Sequence, residues 1–222
     1  MALTSSTMLE LGTPLPYFAL PDTHDVVWHS QALRAPALVI AFICNHCPYV
    51  IHILDSFVSN VKKWQEQGAV VIAVSSNDVE HYPQDAPDRM RQLAIERRFS
   101  LPYLFDASQN TAKAFRAACT PEFFVFNQER LLTYRGRYDA SRPGNQMPIT
   151  GEDLNAAIQQ TMQTASIAEH IETVITGQYS LTQKNAAILL HENQQPSMGC
   201  NIKWKPGSEP EYFLQPNSDK AL

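Results

Sequence analysis

The stretch LVIAFICNHCP, from Leu38 to Pro48, constrains the fold most strongly: an unbroken apolar run ends abruptly at two cysteines separated by two residues. A run of β-branched and apolar residues without alternation is what a strand covered on both faces requires. After Pro48 the period becomes helical, with Val50, Leu54, Phe57, Val61 and Trp64 on one stripe and Ile51, Ile53 and Val58 widening it. Gly68 ends that stripe, and Ala69 to Val74 (AVVIAV) is a second buried strand. Strand, helix and strand in this order predict a parallel pair joined by a right-handed crossover. The cysteine pair lies where the first strand gives way to the helix. Cys44 is expected near the first helical turn, where unpaired N–H groups and the positive end of the helix dipole stabilise a thiolate.

The remaining segments extend this unit into an α/β sandwich. Residues 12 to 33 hold three prolines among short apolar pieces (Tyr17, Phe18, Leu20, Val26, Val27, Trp28) and predict a short edge hairpin. Ser75 to Asp88 is a polar loop at the carboxyl end of the second strand, the edge where open α/β sheets build their sites. Met90, Leu93, Ala94 and Phe99 mark a second helix, Pro102 to Phe105 a short strand, and Asn110 to Ala118 a short helix. Cys119, Thr120 and Pro121 form a break. Glu122 to Phe126 and Leu131 to Arg137 then read as an antiparallel hairpin. Thr150, with Asp153 three residues on, is the expected N-cap of a helix bearing Leu154, Ala157, Ile158, Thr161 and Met162. Three divisions are expected: residues 1–165 as the main domain, 166–195 as a helical add-on, and 196–222 as an irregular C-terminal strap.

Composition excludes several functions. A net charge of −5 over 222 residues, with no Lys/Arg cluster, offers no footprint for nucleic acid or an anionic membrane. The N-terminal MALTSSTMLELGTPLP lacks a basic start and an apolar core, and no apolar run approaches the roughly 18 residues of a membrane span. A cytoplasmic protein is expected. Four cysteines (Cys44, Cys47, Cys119, Cys200) are too few for a disulfide scaffold in a chain this long, so the close pair points to redox or metal chemistry. Structural zinc needs a second ligand pair, and His52 and His81 lack its spacing. Redox is the leading reading, with zinc kept as its alternative.

With this element order, FICNHCPYV at 42 to 50, CTPEFFVF at 119 to 126, YRGRYD at 134 to 139, RPG at 142 to 144 and GCNIKWKPG at 199 to 207 resemble a redoxin family of alkyl hydroperoxide reductase type, within the thioredoxin superfamily. The resemblance implies a thioredoxin-like three-layer α/β/α sandwich. It also implies that Cys44 attacks a disulfide and Cys47 resolves the intermediate, with a protonated His46 stabilising the Cys44 thiolate. Pro121 corresponds to the superfamily's cis-proline beside the dithiol. Thr120 and Asn45 are then substrate-binding candidates, and Cys119 and Cys200 candidate further thiols.

Departures from the family pattern bear on the reaction. The peroxidase pattern P-x-x-x-T/S-x-x-C, set on Cys47, needs Pro and Thr or Ser where Ile40 and Cys44 stand; set on Cys44, it meets Ala37 and Ala41. Ile43 stands where thioredoxins carry Trp. The expected function is thiol:disulfide oxidoreductase, exchanging electrons with protein or low-molecular-weight disulfides and thiols, without metal or organic cofactor, as a monomer or homodimer. The alternatives are an antioxidant hydroperoxide peroxidase and a non-catalytic or zinc-binding module.

Overall fold

The computed structural model describes residues 3–175 and 194–214. Along the chain run β1 (Leu3–Ser5), β2 (Ala19–Pro21), β3 (Val27–His29), β4 (Ala37–Phe42), α1 (Pro48–Glu66), β5 (Val70–Ser75), α2 (Pro87–Glu96) and β6 (Tyr103–Phe105). There follow α3 (Asn110–Ala114), β7 (Cys119–Thr120), β8 (Glu122–Asn127), β9 (Leu132–Gly136), α4 (Glu152–Ile175), β10 (Met198–Asn201) and α5 (Glu211–Leu214). The central sheet has the order β6-β5-β4-β8-β9. β4 pairs in parallel with β5, Phe42 opposite Val74, and antiparallel with β8, Phe42 opposite Glu122.

β4 lies at the middle because both of its faces are apolar. Val39 and Ala41 enter the core formed with α1, α2 and α4; Leu38, Ile40 and Phe42 enter the opposite core with α3, the N-terminal hairpin and the tail. This is the three-layer arrangement implied by the resemblance, with much of one outer layer supplied by non-helical chain. In that layer Phe115 packs edge-on to Phe42 and Phe124, its centroid 5.3 and 5.2 Å from theirs, filling the space a second long helix would otherwise cover.

Three local expectations change. Cys119 and Thr120 do not merely break the chain. They form a short strand in a second sheet of order β1-β10-β7, so part of the expected irregular strap is a central strand. Residues M-G-C-N carry no alternation that would reveal this, since the pairing is set by close backbone approach: a Cβ at Gly199 would collide with the Thr120 carbonyl. Helix α4 begins at Glu152, and Asp153 bonds Arg137 at 2.6 Å instead of closing a capping box; Asp139 accepts the Thr150 and Gly151 N–H groups. The same helix crosses residue 165 without a break, so the segment bearing Ile167 to Ile175 continues α4. The rest of the expected helical add-on, residues 176–193, lies outside the described residues. No helix among the described residues is long and apolar enough to cross a membrane.

Candidate active site

The dithiol is built by the short link between β4 and α1. Ile43 prolongs the β4–β5 ladder through its N–H to Val74 O at 3.0 Å, and Pro48 opens the helix at a position where its missing N–H costs nothing. The helix starts where the apolar period begins, and Cys47, not Cys44, occupies the N-cap with extended backbone. Across from it, β7 leads into the cis Thr120–Pro121 peptide. Thr120 Oγ1 lies 3.5 Å from Cys44 Sγ, and Cys47 Sγ donates to Thr120 O at 3.1 Å. Thr120 thus holds both sulfurs with one residue, and both cysteines are almost wholly buried.

Burial and the neighbouring groups shift the two thiols in opposite directions. The Cys47 pKa is brought down to about 5, first by a hydrogen bond from Cys44, against the opposing effect of burial, with further help from the Thr120 and Cys200 side chains and the Val50 N–H. The Cys44 pKa is raised well above the ordinary thiol range by that same hydrogen bond, by burial and by the nearby Asp85 carboxylate.

Asp85 organises the approach to the pair, and the sequence reading missed it. Its side chain is fully buried and accepts from the Asn45 N–H at 2.8 Å, the His46 N–H at 3.3 Å, His46 Nδ1 at 2.7 Å and Asn77 Nδ2 at 2.8 Å. Burial opposes its ionisation, but the bonds from His46 and Asn77 prevail and hold it below the usual carboxylate range. His46 therefore directs its Nδ1 proton to Asp85, while its ring stacks on Tyr82 at 5.6 Å. The Asp85 carboxylate acts on Cys44 as well, raising its pKa. Asn45 is likewise an anchor: its amide donates to Gln84 O at 2.9 Å and accepts from Tyr103 OH at 3.1 Å. The signal available in the sequence was the polar loop at the carboxyl end of β5, which carries Asn77, Tyr82 and Asp85.

An Asp85→Asn variant puts an amide donor against His46 Nδ1 or Asn77 Nδ2, at a cost of about 1.5–3 kcal/mol per lost charged hydrogen bond. It also removes a negative charge near Cys44. The pH dependence of Cys44 alkylation, followed with Cys47 replaced by Ser, is expected to move to lower pH on adding Asp85→Asn.

Cys44, His46 and Asp85 bring a sulfur, a nitrogen and an oxygen within 4.8 Å of one another. This set fits a metal poorly, since the His46 nitrogen facing Asp85 already bonds Oδ2 and Asn77 bonds the same oxygen. The further thiols separate in role. Cys200 is buried and hydrogen-bonds Cys47, whereas Cys119 Sγ lies 4.0 Å from Pro121 O, its pKa pushed well up by burial. Beside Pro121 opens a cavity of about 220 Å³, lined among others by Tyr49, Ile53, Tyr138, Arg142 and Met198.

A model of the AhpC/TSA family matches residues 11–135 of this sequence. The chain belongs to the AhpC/TSA family. Among solved structures, this redoxin is similar to an uncharacterized conserved protein from Geobacillus kaustophilus, at 37% identity and a TM-score of 0.80, over 93% of this chain and 98% of that one. A hypothetical protein from Sinorhizobium meliloti 1021 is 36% identical with a TM-score of 0.78, over 92% of this chain and 100% of that one. A thiol:disulfide interchange protein of the thioredoxin family from Chlorobium tepidum TLS shares the fold at 14% identity, with a TM-score of 0.54, over 70% of this chain and 99% of that one. None of the curated proteins matches the chain. Membership in this redoxin family supports a redox function, with the thioredoxin-like fold as its scaffold.

Proposed function

We propose that this redoxin is a thiol:disulfide oxidoreductase exchanging two electrons between the Cys44/Cys47 dithiol and a protein or small-molecule disulfide. The observation that carries this reading is the pair of buried sulfurs that Thr120 holds from the opposite wall, with the Cys47 pKa lowered and the Cys44 pKa raised. A thiolate and a protonated thiol in one site are what the two halves of the exchange require. The Cys47 thiolate attacks a substrate disulfide, forming a mixed disulfide and expelling one substrate thiolate. Cys44 then attacks Cys47 Sγ, closing the Cys44–Cys47 bond, releasing the second substrate sulfur and giving up its proton to the thiolates set free. The cavity beside Pro121 is the proposed resting place of the substrate chain.

Peroxide reduction is less well supported. Ile40 and Cys44, or Ala37 and Ala41, stand where the peroxidase pattern needs Pro and Thr or Ser. Catalysed reduction of oxidised glutathione, with dithiothreitol as electron source, is the direct test. Turnover is expected with the disulfide, and the rate of the first thiolate attack should be flat above about pH 5 and fall tenfold per pH unit below it. Consumption of hydrogen peroxide without turnover of the disulfide would replace this reading by the peroxidase one.

A further inference from the structure

Strand β10 lies between β1 and β7, and its register sets Cys200 opposite Thr120, the residue whose backbone and hydroxyl hold the dithiol. Cys47 thus has two thiol neighbours that act on its sulfur, Cys44 and Cys200. The neighbouring Gly199 makes this possible, because any side chain there would strike the Thr120 carbonyl and push β10 away from β7. Cys200 is only 4% exposed, so Cys47 is a far more accessible partner for it than a dissolved oxidant.

We propose that Cys200 is a third redox thiol of this site, placed to take over the disulfide from the Cys44/Cys47 pair by attack on Cys47 Sγ. This inference rests on the proposed dithiol exchange. In the step, the Cys200 sulfur forms a bond to Cys47, the Cys44–Cys47 bond breaks, and the Cys200 proton ends on the departing Cys44 sulfur. One disulfide replaces another, no electrons enter or leave, and no further oxidant is needed. Burial and the neighbouring Cys47 thiolate keep Cys200 protonated in the reduced protein, with its pKa pushed up to about 12; once Cys47 is in a disulfide, that charge is gone. The product returns Cys44 as a thiol and ties the tail strand to the start of α1.

The test uses the full chain treated with oxidised glutathione, quenched in acid, digested with trypsin without reduction and mapped by mass spectrometry. Trypsin places Cys47 and Cys200 on separate peptides, so only a disulfide joins them. In a Cys44→Ser variant, the cross-linked Cys47/Cys200 peptide pair is expected as the main product, and adding Cys200→Ser should leave Cys47 as its glutathione mixed disulfide. A Cys44→Ser variant that keeps that mixed disulfide with Cys200 reduced overturns the inference, provided the Cys200→Ser chain forms its Cys44–Cys47 disulfide. Failure of the Cys200→Ser chain to form that bond overturns the dithiol reading and this inference with it. A Cys200→Ser chain that still forms the Cys44–Cys47 bond shows that the fold and the pair survive the substitution, so a missing cross-link counts against Cys200 itself.

Discussion

Replacing Cys47 by Ser should abolish disulfide exchange, by about three orders of magnitude or more, and leave the protein without a thiolate at neutral pH. Cys44 would then be the remaining member of the pair, held protonated by burial and by the charge on Asp85. Replacing Cys44 by Ser also stops turnover, because no resolving sulfur remains, but it should preserve the thiolate: the introduced hydroxyl can donate to Cys47 Sγ as the thiol does, and the Thr120, Cys200 and Val50 donors stay in place. Cys119 and Cys200 are both shifted upward, so ultraviolet thiolate absorbance at neutral pH reports on the dithiol. Absorbance retained in Cys44→Ser and lost in Cys47→Ser is the expected pattern. The opposite pattern would return the resting thiolate to Cys44.

The second large effect concerns the support behind Thr120. Glu122 follows Pro121 and is fully buried; its Oε1 accepts from Arg135 Nη2 at 2.7 Å and Nε at 2.8 Å and from Ser6 Oγ at 2.5 Å. Its other oxygen accepts the Ala118 N–H at 2.9 Å and the Cys119 N–H at 3.4 Å, which fixes the backbone just ahead of Thr120. Glu122→Gln leaves the Arg135 guanidinium buried without its counter-charge, at a cost of about 3–5 kcal/mol, or a fall in Tm of roughly 6–20 °C. The double variant Glu122→Gln with Arg135→Met should recover much of that loss, since neither charge is then buried alone. Calorimetry of the unaltered chain and both variants decides it. A single variant as stable as the unaltered chain would remove this pair from the forces holding β7.

How much was legible in the sequence follows from which forces act locally. β4, α1 and β5 were readable because each is a continuous apolar pattern whose period alone names the element. The β8–β9 hairpin was readable for the same reason. The dithiol and Pro121 could be placed by motif, but the direction of polarisation could not, because it depends on whether the helix starts at Cys44 or a few residues later. Pro48 at the first helical position decides this, making Cys47 the N-cap. Asp85 was hidden because a lone carboxylate in a polar loop looks solvated until folding buries it under His46, Asn45 and Asn77. The pairing of β10 was hidden because it spans about 80 residues and rests on the small size of Gly199, which leaves no trace in hydrophobic pattern.

The central claim is that Cys44 and Cys47 form one reversible two-electron couple. Equilibration of the Cys200→Ser chain across a series of reduced-to-oxidised glutathione ratios, with acid quench and counting of alkylated thiols by mass spectrometry, tests it most directly. Cys44 and Cys47 are expected to leave the reduced state together, in one transition with the slope of a two-electron exchange, about 30 mV per tenfold change in equilibrium constant. Two cysteines that oxidise independently, or that remain alkylatable at every ratio, would contradict it.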